Sequence, residues 1–212
     1  MIKDSLNKFI KEKLNEILSK NQLREVITSH RLSRMKTKRN NSKLISFSCN
    51  DYLGLSQNLI IKKVAIQAVK KYGVGSGASR LITGNNPLYS ELERKLASVK
   101  EAEAACVFGS GFLANIGVIP SLMGKGDIIF VDEFSHASTF LGIRLSNAYF
   151  KTFNHNNMHD LKRKIKFYRN RYRNCLILTE GVFSMDGDLA PLEEVSILAK
   201  DSDSWLMVDD AH

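Results

Sequence analysis

Trp205-Leu206-Met207-Val208-Asp209-Asp210-Ala211-His212 is an apolar run that leads directly into two acids and a histidine. It reads as a buried strand over Trp205–Asp209. A strand that delivers polar residues to the loop beyond its carboxyl end is the pattern of parallel α/β sheets, which bind ligands there. Working back from this stretch, apolar and amphipathic runs alternate. Strands are expected at 104–108, 127–131, 149–153 and 175–179, and helices at 112–122, 138–146, 158–168 and 192–200. Strands separated by helices of this length imply crossover connections. The fold class is therefore α/β, a mostly parallel sheet flanked by helices. The strand runs are continuously apolar, as burial on both faces requires.

Further upstream, Leu6, Phe9, Ile10, Leu14, Ile17 and Leu18 recur at helical spacing, which predicts an N-terminal helical arm over 3–21. The polar, basic stretch 34–42 is expected to be a loop, and 44–48 a short strand. A helix at 59–72 should end at the glycines of Gly73-Val74-Gly75-Ser76-Gly77, and 88–99 reads as another helix. The organisation predicted is an N-terminal helix and basic linker over 1–43, then a partial α/β domain over 44–212. No helix follows the last strand, so the chain is expected to be one part of an enzyme.

The 212 residues, 43% apolar and 25% charged, suit a globular chain with one good core. Cys49, Cys106 and Cys175 are odd in number and far apart in sequence. They read as reduced, buried thiols of a cytoplasmic protein, with neither a disulfide framework nor a metal site. No apolar run reaches the ~18 residues a membrane span needs, and Met1-Ile2-Lys3-Asp4-Ser5-Leu6 lacks a signal-peptide apolar block. The net charge of +9 is concentrated in residues 1–43, with twelve Lys/Arg against four Asp/Glu, and in 162–173. These stretches have few interleaved aromatics and match no nucleic-acid motif, so neither nucleic acid nor membrane is an expected partner. They read as solvated faces, with a phosphate-rich small molecule such as a coenzyme A ester as the other reading.

Four constellations can carry chemistry. Gly109-Ser110-Gly111-Phe112-Leu113-Ala114 follows a strand and opens a helix, so it is either a phosphate cradle or a plain βα turn. It is not the dinucleotide fingerprint, because Ala114 takes the third glycine position. His136, in Phe134-Ser135-His136-Ala137-Ser138, is a ligand contact or a helix cap. Ser184 lies in a loop of small and acidic residues, 180–188, and is a hydroxyl donor or an ordinary loop residue. Asp209 and His212 are an acid that can hold a heteroaromatic nitrogen protonated, with a histidine beside it, or a helix-cap acid with an unrelated His. Taken together at successive strand ends, they suit pyridoxal 5′-phosphate, which needs a phosphate cup, a ring-face partner, a donor to its phenolic oxygen and an acid at its ring nitrogen.

Six ordered motifs make the resemblance specific. Ser48-Cys49-Asn50-Asp51-Tyr52-Leu53-Gly54-Leu55, Gly77-Ala78-Ser79-Arg80-Leu81, Ser110-Gly111-Phe112-Leu113-Ala114-Asn115, Ser135-His136-Ala137-Ser138, Glu180-Gly181-Val182-Phe183-Ser184-Met185-Asp186-Gly187-Asp188 and Val208-Asp209-Asp210-Ala211-His212 resemble the α-oxoamine synthases. These are fold-type I pyridoxal-phosphate enzymes, homodimers that condense an amino acid with an acyl thioester on coenzyme A or a carrier protein. The fifth and sixth motifs look most like the 8-amino-7-oxononanoate synthase branch, which joins alanine to a pimeloyl thioester in biotin synthesis. The 5-aminolevulinate, 2-amino-3-ketobutyrate and sphingoid-base branches are the alternatives, as is a non-catalytic cofactor- or partner-binding subunit.

By that resemblance, Ser110, Gly111 and Phe112 hold the cofactor phosphate, His136 stacks on the ring, and Ser184 and His212 bond its phenolic oxygen. Asp209 pairs with the ring nitrogen. His136, Asp209 and His212 are the implied catalytic residues. Arg24, Asn50, Ser79 and His136 are the implied substrate contacts. Two departures stand out. Tyr89 occupies a position where the family usually has histidine, and the family's cofactor-bearing lysine and small C-terminal domain fall beyond His212. The chain is therefore expected to be the N-terminal portion of such an enzyme, with negligible synthase activity by itself.

Overall fold

The computed structural model describes residues 4–33 and 35–212. Met1 to Lys3, the last of which begins the expected helix, and Arg34, read as loop, lie outside the described residues. The chain falls into two compact units, one running to Gly75 and the other from Ser76 to His212.

In the first unit, helix α1 spans Ser5–Ser19. Three short antiparallel strands follow: β1 (Ser29–Arg31), β2 (Lys36–Arg39) and β3 (Ser42–Ile45), in the order β1-β2-β3. The expectation of a loop over 34–42 is thereby corrected. The basic side chains of β2 hid a hairpin whose turn is Asn40-Asn41, both left-handed at φ 47° and 62°. Two successive left-handed residues give a turn whose twist matches the paired strands, and Asn tolerates that conformation. Helix α2 covers Leu59–Tyr72, capped at its start by the Asn58 side chain and closed at Gly73, φ 79°.

In the second unit, a π-helical turn at Arg80–Gly84 precedes α3 (Pro87–Val99) and α4 (Gly111–Leu122). Then come β4 (Ile128–Asp132), α5 (Ala137–Ser146), β5 (Tyr149–Phe153), α6 (Met158–Tyr168), β6 (Cys175–Glu180), α7 (Leu192–Asp201) and β7 (Trp205–Asp209). The four strands form one parallel sheet in the order β5-β4-β6-β7. From β4 the chain steps to β5, then crosses back to β6 and on to β7. The order reverses between β4 and β6, and a crevice beyond the carboxyl ends is expected at such a switch point.

The core has two layers. Ile128, Phe130, Cys175 and Ile177 point to one face and pack with Leu161 and Ile165 of α6 and Val195 and Ala199 of α7. Ile129, Val131, Leu176 and Leu178 point to the other and pack with Ile119 of α4 and Ile143 of α5. Successive residues alternate between two buried faces, which is why β4 and β6 read as unbroken apolar runs.

Two expectations are corrected here. Residues 104–108 form no strand, because the backbone groups of Val107 are taken by side chains: its N–H donates to Glu93 Oε1 at 2.9 Å and its carbonyl accepts from Arg80 Nη1 at 3.3 Å. The thiols are not all buried either. Cys175 is buried in the core, Cys49 is half-buried and Cys106 is exposed, all three free. Among the described residues no helix is long and apolar enough to cross a membrane.

Candidate active site

The strand tips Asp132, Glu180 and Asp209 lie along one edge of the sheet, with Glu180 and Asp209 directly paired. At this edge a cavity of about 130 Å³ is lined by Gly111, Phe112, Asn115, His136, Ser138, Glu180, Ser184, Asp209, Ala211 and His212. Six of the residues singled out from sequence thus meet in one place: Gly111, Phe112, His136, Ser184, Asp209 and His212. Ser110 stands just behind, its Oγ accepting the Leu113 N–H at 3.1 Å as the N-cap of α4. Ser79 is exposed at the start of the π-turn, and Arg24 and Asn50 belong to the first unit.

His136 is the N-cap of α5, so both readings of it hold: it caps a helix and lines the cavity. Its Nδ1 accepts the Ser138 N–H at 3.2 Å and lies 2.6 Å from Ser138 Oγ. Its own N–H donates to Glu180 Oε1. Burial pushes the Glu180 carboxyl above the usual carboxylate range, reinforced by Asp209 and opposed by the His136 N–H. Asp209 is held on three sides. Oδ2 accepts from Asn115 Nδ2 at 2.9 Å, Oδ1 accepts from the Ala211 N–H at 3.2 Å, and its carbonyl accepts from the Gly181 N–H at 2.8 Å.

Sequence reasoning missed Asn115, Ser138 and Glu180 as cavity residues. It also missed a clamp beneath the Ser184 loop. His155, following β5, bonds the buried Asp132 through Nδ1 at 2.9 Å and Asp188 through Nε2 at 2.7 Å. Its ring stacks on Phe134 with centroids 4.5 Å apart and meets Phe183 edge-on at 4.4 Å. Burial pulls the His155 pKa down, but the two carboxylates outweigh it and the net shift is upward. Asp188 is shifted down, first by its bond to His155. A raised histidine pKa gives stability that is complete below the unfolded value of about 6.5 and is lost as pH rises through the folded value. The lowered Asp188 gives stability present above about 3.9 and lost as pH falls below it. The stability difference between the parent and His155→Gln is therefore expected to be largest between about pH 4 and 6.5. Urea midpoints across pH measure it, and a difference that ignores pH contradicts the clamp.

The family departure at Tyr89 also has a structural use. Arg80 lies over the Tyr89 ring at 4.5 Å while its guanidinium pairs with both Glu93 oxygens at 2.7 and 2.9 Å. Arg80, by that bond, holds the Glu93 carboxyl at about 2.

The donor set fits a phosphorylated, protonatable ring. The first turn of α4 has N–H groups without intrahelical acceptors. Ser110 Oγ takes that of Leu113, leaving Gly111 and Phe112 as donors to an anion. A Cβ built on Gly111 meets nothing within 4 Å beyond its chain neighbours and its own helix backbone, so the space beside this turn is open. Asp209 offers a carboxylate, and His136, Ser184 and His212 offer ring and hydroxyl groups on the same wall. Among the described residues no cluster of His, Cys, Asp and Glu is arranged to hold a metal.

Residues 42–212 match the family described as aminotransferase class I and II. A putative 8-amino-7-oxononanoate synthase of Phenylobacterium zucineum is 50% identical over 99% of this chain and 54% of its own length. The 8-amino-7-oxononanoate synthase of Beijerinckia indica is 46% identical with the same coverage. The chain thus spans about half the length of the curated relatives it matches. Among solved structures, Sphingomonas wittichii serine palmitoyltransferase superposes with a TM-score of 0.88 at 30% identity, over all of this chain and 53% of that one. A serine palmitoyltransferase variant from S. paucimobilis, solved with a bound PLP–myriocin aldimine, gives 0.86 at 28%, with the same coverage.

Proposed function

We propose, for a chain that belongs to the aminotransferase class I and II family, that the strand-end cavity binds pyridoxal 5′-phosphate for an 8-amino-7-oxononanoate synthase-type reaction. The reaction joins alanine to a pimeloyl thioester, with loss of carbon dioxide and release of the thiol carrier. The observation that carries this reading is the convergence of Gly111, Phe112, His136, Ser184, Asp209 and His212 on one cavity. The names of the curated relatives, 46–50% identical over nearly the whole of this chain, favour this branch.

When bound, the cofactor supplies an electron-withdrawing ring to the carbon whose bonds change. The residues do the rest. Gly111 and Phe112 donate N–H groups to the phosphate, with Ser110 fixing their turn. Asp209 pairs with the ring nitrogen and keeps its proton. Ser184 and His212 bond the phenolic oxygen, and His136 covers the ring face and borders the substrate. Arg24, Asn50 and Ser79 contact substrate in this reading, and the working unit is a homodimer in the cytoplasm.

The ten lining residues include no lysine. Cofactor bound by these residues is therefore held by ion pairing, hydrogen bonds and ring contact alone. Titrating the chain with pyridoxal 5′-phosphate should give saturable binding, one per chain, competed by pyridoxine 5′-phosphate. Borohydride followed by peptide mass analysis should find no cofactor fixed to a cavity residue. Given alanine and pimeloyl-coenzyme A, these 212 residues should form no product. Absence of saturable binding overturns the cofactor reading.

A further inference from the structure

Asn115 has no part in the roles assigned so far, yet it is a buried, doubly hydrogen-bonded side chain of the site. It sits in the second turn of α4 and is buried to 5% exposure. Asparagine is a weak helix former, and a buried amide must be hydrogen-bonded to be tolerated. Its Nδ2 donates to Asp209 Oδ2 at 2.9 Å and to Ser138 Oγ at 3.0 Å. An ionised carboxylate only accepts, so the amide nitrogen, not its oxygen, must face Asp209. Both amide hydrogens are then committed, one to each partner. The mount is rigid as well. A Cβ on Gly142 of α5 would come within 2.6 Å of the Asn115 carbonyl oxygen, so the two helices touch at this point.

The direction of the remaining bonds follows. Ser138 Oγ receives a hydrogen from Asn115, so its own hydrogen is free for His136 Nδ1, 2.6 Å away. The Ser138 amide, which can only donate, also points at Nδ1. Nδ1 is therefore an acceptor, and a neutral His136 ring carries its proton on Nε2.

We propose that Asn115 is a positioning residue of this site: its amide holds the Asp209 carboxylate in one orientation and, by donating to Ser138 Oγ, turns the Ser138 hydroxyl hydrogen onto His136 Nδ1, beside the Ser138 N–H that already marks Nδ1 as an acceptor. The inference rests on the cofactor reading for its purpose, since Asp209 and His136 are the groups meeting the ring nitrogen and the ring face. One side chain thus couples the two contacts that a pyridine ring most needs, across 94 residues of sequence.

The test has a ligand-free arm and a ligand arm. In the full chain labelled with ¹⁵N-histidine, His136 should be the Nε2–H form in both proteins, held by the Ser138 N–H, but its Nδ1 resonance in Asn115→Leu should move toward that of a ring with one hydrogen bond fewer. With pyridoxine 5′-phosphate, which has no aldehyde to react with surface lysines, Asn115→Leu should bind roughly ten- to hundredfold more weakly, the range for one hydrogen bond to a charged group. The pH at which the bound ring loses its proton, read from its absorption band, should fall toward that of the free compound. Ser138→Ala cuts only the His136 branch, so it should move the Nδ1 resonance in the same sense while leaving that pH where the parent has it. Asn115→Ala serves if the leucine variant does not fold. A parent-like Nδ1 resonance and ring titration in both Asn115 variants overturn the proposal, even if affinity drops with stability. If the parent does not bind the probe, the cofactor reading fails. The Nδ1 comparison then decides the relay on its own, with an unchanged resonance overturning it.

Discussion

Asp209→Ala is expected to weaken pyridoxal 5′-phosphate binding by roughly a hundredfold, the upper range for removing a charged partner. Asp209 is the only acid among the lining residues besides Glu180. The Glu180 carboxyl is pushed up by burial and already accepts the His136 N–H, so it is poorly placed to substitute. Asp209→Asn keeps the shape and removes the charge. It should lose roughly tenfold in affinity and let the bound ring give up its proton at lower pH. Because Asn115 acts through Asp209, combining Asp209→Ala with Asn115→Leu should cost less than the two single losses together. Absorbance titrations of the parent and these four variants decide the matter. Undiminished affinity in Asp209→Ala would remove the acid from the cofactor site.

The sequence carried most of the second unit. The bounds expected for β5, α6 and β7 are those observed, because each is a run of one period closed by an unambiguous polar stretch. The strand tips were legible for the same reason, and with them His136, Ser184, Asp209 and His212. What escaped notice was set by partners distant in sequence. Asn115 looks like a polar residue inside an apolar helix until Asp209 and Ser138 fold against it. The apolar run at 104–108 satisfies strand propensity, yet Glu93 and Arg80 occupy the Val107 backbone groups that a ladder would need. His155 reads as a loop histidine, and only the sheet order brings Asp132 and Asp188 to its two nitrogens. The hairpin around Asn40-Asn41 is different. Its turn signal was local and present, but the lysines and arginines on β2 made the stretch read as a solvated loop.

Phe130→Ala should remove about 3–5 kcal/mol of stability, the usual range for emptying a fully buried aromatic site. Phe130 is 0% exposed in the middle of β4, between β5 and β6, with Phe153, Leu161 and Ile177 in the same layer. Set against a typical total of about 5–15 kcal/mol, this is at least about a fifth of the margin. Phe150 is the same residue type on the edge strand β5, but 38% exposed. Phe150→Ala should cost only about 1 kcal/mol, since much of its area stays in water. Urea unfolding should show the Phe130→Ala midpoint falling far more than that of Phe150→Ala, with slopes unchanged. Equal losses would contradict a core centred on β4. The same experiment separates scaffold from site. A ligand that binds only the folded chain stabilises it by an amount set by affinity and concentration, whatever the starting stability. Saturating pyridoxal 5′-phosphate should therefore add the same stabilisation to Phe130→Ala as to the parent. An increment that shrinks in Phe130→Ala would mean that packing beneath β4 itself sets the placement of His136 and Asp209.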